Sequence, residues 1–254
     1  MPAAAGPEQP ERDLRRRLAV ATRVLAWGGL VDHSGHVSAR AEDGTFLIQA
    51  RPVPRRQVHP GNIVALRLDG TRVAGDLPPP SEWPMHARIY AARSEVRSVV
   101  HIHSHMATNF SIADRPLLPV CIQGAIFGAA AVPVYDRPDL VQDEGSGDEI
   151  ARTLGAARAV LIRGHGSVVV GESVVGAAVS AFYLEENANR QWHAGLLGRI
   201  RALTEEECSR IARQTWKSGV VRKVWEYLVT QATTAGYLDG LEGRDSAFEP
   251  EESV

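Results

Sequence analysis

Cysteine is almost missing from this chain: Cys121 and Cys208 are the two present. They lie far apart and form no CxxC pair, so they cannot build a zinc knuckle, and they fit reduced thiols in a cytoplasmic protein. An excess of charge is missing too. Lys and Arg number 28 against 30 Asp and Glu, a net charge of −2, and nothing points to nucleic acid or an anionic membrane as a partner. No apolar run approaches the ~20 residues that a membrane-spanning helix needs. The stretch nearest to a leader, "RRRLAVATRVLAWGGLV", carries Arg23 inside its apolar part, has Glu11 and Asp13 ahead of it, and lacks a small-residue cleavage site behind it. It reads as an amphipathic first helix. Internal repeats are absent as well.

What is present is an ordinary globular composition, 44% hydrophobic over 254 residues, enough for one large core. Residues 1–12 read as a flexible lead, 13–240 as a single domain, and 241–254 as an acidic, disordered tail. Leu14, Leu18, Ala21, Val24 and Leu25 have helical spacing, and Gly28-Gly29 ends that helix. Strand patterns follow on both sides of a polar turn at Glu42–Gly44, and again on both sides of Asp69-Gly70, a strong hairpin signal. "SEWPMHARIYAAR" is a helix with Ser81 expected as N-cap and Pro84 in its first turn. "VRSVVHIHS" and "AAAVPVYD" are strands, "GSGDEIARTLGAA" is a short helix, and "RAVLIRGHGSVVVGES" is a hairpin turning at Gly164–Gly166. A long helix runs from Ser173 to about Arg199, and "TEEE" at Thr204 is a capping box that opens a helical C-terminal region. Strand hairpins between helices predict an α/β fold, a three-layer α/β/α sandwich around a mostly antiparallel sheet.

The chemistry concentrates in "VVHIHSHMATNFS", residues 99–111. Successive strand residues point to opposite faces, so His101, His103 and nominally His105 share a face. Two imidazoles at that spacing can grip one ion at about 2.0–2.1 Å per Zn–N bond. A single histidine here would read as hydrogen-bonded core; the HxH pair at the end of a Val-rich strand reads equally as core and as ligand. His165, between two glycines at a hairpin tip, supplies a third imidazole on a separate element and leaves coordination positions open for substrate. His105 competes for that third place, but the chain from Met106 onward reads as a turn or helix, which favours His165. Glu82, at a helix start, is a dipole partner on the plain reading, or a fourth ligand or acid/base if it faces the ion.

In order and spacing, "GHVSAR", "SEWPMHARIYAARSEVRSVVHIHSHMAT" and "LIRGHGSVVVGESVVGAAVSAFYLEENA" resemble the class II aldolase/adducin family over about Leu14 to Trp192. That resemblance implies one divalent ion per chain on His101, His103 and His165, with Glu82 at the catalytic carboxylate position. Zinc or manganese is favoured, with magnesium, cobalt or iron open. It also implies a homotetramer with sites near subunit interfaces. Trp216, Trp225, Tyr227 and Tyr237 read as packing residues, or as a cover for a neighbour's site.

Family aldolases read GNxS where this chain has Gly35-His36-Val37-Ser38, and they carry a Thr-Pro-(Ser/Thr)-Gly turn and a Ser-Ser pair that cradle a phosphate. Here the turn is "QARPVPRR" and the pair is Pro80-Ser81, with His36, Arg51, Arg55 and Arg56 in place of the cradle. Arg51 is the expected anchor for a small carboxylate substrate, beside Ser38 and Ser81. The expected activity is a metal-dependent lyase decarboxylating a hydroxy- or oxo-carboxylic acid through a stabilised enolate, with Glu82 or His36 moving the proton. An aldolase using the same residues is the alternative. An adducin-like interaction domain without catalysis is a further one, and a three-histidine oxygenase is also conceivable.

Overall fold

The computed structural model describes residues 9–241. Its helices are α1 (Gln9–Trp27), α2 (Trp83–Ala92), α3 (His105–Ile112), α4 (Glu144–Leu154), α5 (Val174–Leu197), α6 (Glu205–Thr215) and α7 (Ser218–Thr234). Its strands are β1 (His36–Arg40), β2 (Phe46–Gln49), β3 (Ile63–Leu66), β4 (Arg72–Ala74), β5 (Ser98–Ile102), β6 (Val134–Tyr135), β7 (Ala159–Ile162) and β8 (Gly166–Gly171). They form one sheet in the order β4-β3-β2-β1-β5-β8-β7-β6. The β6–β7 pair is parallel and the other pairings are antiparallel. The expected α/β/α sandwich is what the chain forms.

Strand alternation divides the core into two. Val37, Ala39, Val100, Ile102 and Val169 face the layer of α1, α5 and α7, where Leu18, Leu25, Leu184 and Trp225 are buried. Val99, Val160, Val168 and Val170 face α2 and α4 and pack on Met85, Ile89, Tyr90 and Ile150. Burying one Leu, Ile or Val side chain fully contributes about 1.5–3 kcal/mol, so both layers are held by the same period-two pattern. The parity has a chemical consequence. His36 and Ser38 on β1, and His101 on β5, fall on the α2 side.

Several local expectations need adjusting. α1 begins at Gln9, inside the stretch read as a lead. The tail beyond residue 241, and residues 1–8 of the lead, lie outside the described residues. The N-cap of α2 is Glu82, without a capping side-chain bond, and not Ser81. The Glu82 carboxylate makes no cap because it turns away from its own helix to accept the Val141 backbone N–H at 3.0 Å. The capping box at Thr204 is present, with Glu207 answering it. Both cysteines are free thiols. Among the described residues no helix is long and apolar enough to cross a membrane.

Candidate metal centre

β1 and β5 run antiparallel in a register that sets His36 directly opposite His101. The strand ends at Ile102, so His103 lies just beyond it. The chain then turns into α3, because the Glu185 carboxylate on α5 accepts the Met106 and Ala107 N–H groups at 2.7 and 3.0 Å, satisfying the helix start from outside. His105 is carried into that helix and exposed, a bystander. His165 sits in the β7–β8 turn, the neighbouring hairpin. Ring centroids lie 5.1 Å apart for His101 and His103, 4.9 Å for His101 and His165, and 5.3 Å for His103 and His165. Ligand atoms from all three come within 4.8 Å of one another.

Hydrogen bonds decide which nitrogens are available. His101 Nδ1 donates to the Ser167 carbonyl at 3.2 Å, and a carbonyl can only accept, so Nε2 keeps its lone pair. His103 Nδ1 faces the Asp32 carboxylate at 3.2 Å, with the same result. Burial would push the Asp32 carboxyl up, but the Ser34 backbone N–H and His103 bring it below its ordinary value, so it is an ionised acceptor. His101 Nε2, His103 Nε2 and His165 Nδ1 are buried without a hydrogen-bond partner. A buried nitrogen left unpaired costs about 1–3 kcal/mol. The first two, with tautomers held from behind, and the His165 ring 4.9 and 5.3 Å from theirs fit a divalent ion, which is how metal-binding imidazoles are oriented.

Glu82 closes the site from the α2 side. Its Oε2 lies 3.7 Å from His36 Nε2, 3.7 Å from His101 Nε2 and 3.9 Å from His165 Nε2. Burial pushes the carboxyl up, but the imidazoles of His36 and His101 beside it and the Val141 N–H outweigh it and take the pKa down to about 2. Glu82 is therefore a carboxylate. Burial pushes His36 and His101 the other way, keeping both imidazoles neutral. Besides the three-histidine set, His36, Glu82 and His101 form a second group with ligand geometry.

The family model for the class II aldolase and adducin N-terminal domain matches residues 16–192. The chain belongs to that family. Among curated proteins it is 31% identical over 200 residues to a 3,4-dihydroxyphthalate decarboxylase from Terrabacter sp. (strain DBF63), covering 74% of this chain and 84% of that one. It is 29% identical over 177 residues to an L-fuculose phosphate aldolase from Haemophilus influenzae (strain ATCC 51907 / DSM 11121 / KW20 / Rd), covering 68% and 80%. Among solved structures, an aldolase II superfamily protein from Pseudomonas syringae superposes with a TM-score of 0.80 at 25% identity, over 93% of this chain and 98% of that one. The family's members thus include decarboxylases and aldolases.

Other expected site residues land elsewhere. Ser38 is fully buried, its hydroxyl 2.6 Å from His86 Nδ1 and 2.7 Å from the Tyr90 hydroxyl, so it serves the interior and presents nothing to a substrate. Ser81 is partly buried one residue ahead of Glu82. Arg55 is turned inward, donating to the Gly35 and Val53 carbonyls at 2.8 Å each. Arg56 stacks on the Tyr237 ring. Arg51 is exposed and lines, with Asp32, His33 and Arg56, a cleft of about 440 Å³, and Asp32 is also the residue that faces His103. Asp32 and His86 were not foreseen. Their signals were short: an acid four residues before His36, and a histidine one helical turn after Glu82.

Proposed function

We propose that this protein is a divalent-metal-dependent lyase that decarboxylates an aromatic acid with a hydroxyl beside the departing carboxylate. The observation that carries the reading is the grouping of three imidazoles, two of them with free Nε2 lone pairs, faced by the ionised Glu82. The kinship with 3,4-dihydroxyphthalate decarboxylases supports the substrate class. A divalent ion on His101, His103 and His165, zinc or manganese by the donor set, would supply a Lewis acid for the substrate oxygen that takes up the electron pair left by CO₂.

The chain's own groups divide the proton work. Glu82, ionised, takes the proton from the substrate hydroxyl and returns it to the ring carbon that bears the carboxylate. The bond to the carboxylate then breaks, its electron pair passes through the ring to the adjacent oxygen, and CO₂ leaves. The phenolate product regains a proton from solvent. His36 is held neutral by burial, so it serves as a hydrogen-bond donor beside Glu82 and not as the acid. Arg51, which shares a cleft with Asp32, would hold a second carboxylate of the substrate. Exposed Trp192, Leu196 and Leu197 at the end of α5 support association with further copies of the chain.

Elemental analysis, paired with CO₂ release from a panel of hydroxybenzoic, dihydroxyphthalic and β-oxo acids, tests the reading. About one metal per chain with CO₂ from a hydroxy-aromatic acid is the expected result. Metal without CO₂ would favour the aldolase alternative, for which the kinship with an L-fuculose phosphate aldolase speaks. No metal after reconstitution, or full activity in His103→Ala, would overturn the site.

A further inference from the structure

Behind His36 runs a buried chain of hydrogen bonds that the reaction above does not use. His36 Nδ1 meets His86 Nε2 at 2.7 Å, His86 Nδ1 meets Ser38 Oγ at 2.6 Å, and Ser38 Oγ meets the Tyr90 hydroxyl at 2.7 Å. His86, Ser38 and Tyr90 are at most 1% exposed, and His36 is 3% exposed. Glu82, His86 and Tyr90 are spaced four apart on one face of α2, opposite the inward-facing His36 and Ser38 of β1.

The two ends set the direction of every bond between them. Glu82 presents carboxylate oxygens, one of which already accepts the Val141 N–H while the other faces His36 Nε2 at 3.7 Å, so that nitrogen carries the hydrogen. At the far end the Tyr90 hydroxyl has Ser38 Oγ as its hydrogen-bond partner, so its proton points there. Ser38 then donates to His86 Nδ1, His86 donates from Nε2 to His36 Nδ1, and His36 is left with Nε2–H. The opposite direction would put a bare lone pair of His36 against the Glu82 carboxylate and leave the Tyr90 proton without an acceptor. The chain is not a path for protons, because burial pushes the Tyr90 hydroxyl well above the ordinary phenol range and it gives none away.

The geometry points to His86 as the positioning residue that withholds His36 from the metal. Resting on the three-histidine reading of the site, this resolves a choice the donor atoms alone leave open. His36, Glu82 and His101 have ligand geometry of their own, sharing His101 with the other set. A nitrogen bearing hydrogen has no lone pair for an ion. With His86 donating to Nδ1, His36 can only donate from Nε2. The ion is thereby directed to His101, His103 and His165, the first two of which keep Nε2 free of hydrogen, and Glu82 stays free for proton work.

Two nearly isosteric variants separate this role from a packing role. In His86→Gln the amide can still donate to His36 and accept from Ser38. In His86→Glu the carboxylate can only accept, which reverses the demand on His36. Long-range ¹H–¹⁵N spectra of the metal-free protein read the tautomer without metal or turnover. Nε2–H is expected at His36 in the wild type and in His86→Gln, and Nδ1–H in His86→Glu. Cobalt loaded into the same proteins, with its histidine ligands counted by pulsed EPR or X-ray absorption, should gain the His36 imidazole in His86→Glu alone. Nδ1–H in the wild type would overturn the inference, whether or not His86→Glu folds, and so would identical tautomers in both variants. If cobalt binds to none of the proteins while the tautomers follow the expected pattern, the metal reading fails and the hydrogen-bond assignment stands.

Discussion

Replacing Gly166 by alanine tests whether the β5–β8 contact is what brings His165 to the other two histidines. A Cβ at Gly166 would stand 2.3 Å from the Ile102 carbonyl oxygen and 3.3 Å from His103 Cδ2. The first distance is about 1 Å short of ordinary contact, and the atom it meets is backbone in the middle of the sheet, so it cannot swing aside. Relief requires β8 to draw away from β5 near the Ile102–Ser167 pairing. Overpacking of this kind costs about 1–3 kcal/mol, and weakening two ladder hydrogen bonds adds about 0.5–1.5 kcal/mol each, for a loss of roughly 2–6 kcal/mol. Out of a typical 5–15 kcal/mol the chain stays folded, but His165 moves by more than the ~0.2 Å that a metal–nitrogen bond tolerates. Denaturant unfolding measures the first effect, and competition of the protein with a chelating dye for zinc measures the second. Zinc affinity should fall by at least the ~10–100-fold that losing an outer partner of a ligand costs. Gly164→Ala is the control. Gly164 has φ of +67°, so alanine there costs about 1–2 kcal/mol of backbone strain, yet the nearest atom to its Cβ is Ile112 Cγ1 at 4.0 Å and His165 has no reason to move. Wild-type zinc affinity in Gly166→Ala, or an equal loss in both variants, would refute the reasoning.

Asp32→Ala removes the carboxylate that orients His103, and zinc affinity should drop about 10–100-fold with little change in stability; equal affinity in a dye-competition titration would show that His103 needs no such support. His86 is fully buried and burial pushes its pKa well below 6.5, so the folded state binds fewer protons than the unfolded one. Its contribution is intact above pH 6.5 and is lost as pH falls below it, at a slope approaching about 1.4 kcal/mol per pH unit. Unfolding free energies from pH 7 to 5 should fall less steeply for His86→Gln than for the wild type, and parallel curves would contradict this. Arg55→Met leaves the Gly35 and Val53 carbonyls without their charged donor, and the unfolding midpoint should report a loss of about 2–4 kcal/mol.

The sequence by itself determined the elements and named the candidate metal donors. Helical and strand periods placed nearly every segment, because both are local: they depend on which residues three, four or two positions away share a face. Parity along "VVHIH" and the glycine-flanked His165 were enough to name His101, His103 and His165 as candidates, and the family's motifs lie on the same residues. The tertiary structure alone decided what surrounds them. His36 is opposite His101 only because β1 and β5 pair in that register, a contact between residues 65 positions apart that no local pattern encodes. The same pairing, with α2 laid across it, turned Ser38 from an expected substrate contact into a link between His86 and Tyr90. Arg55 looked like part of an anion site because an arginine's sequence position does not reveal whether it faces solvent or bare carbonyls. Side-chain type follows from local chemistry, but hydrogen-bond direction, and with it the tautomer of each histidine, is settled only when every donor in the folded interior has found its acceptor.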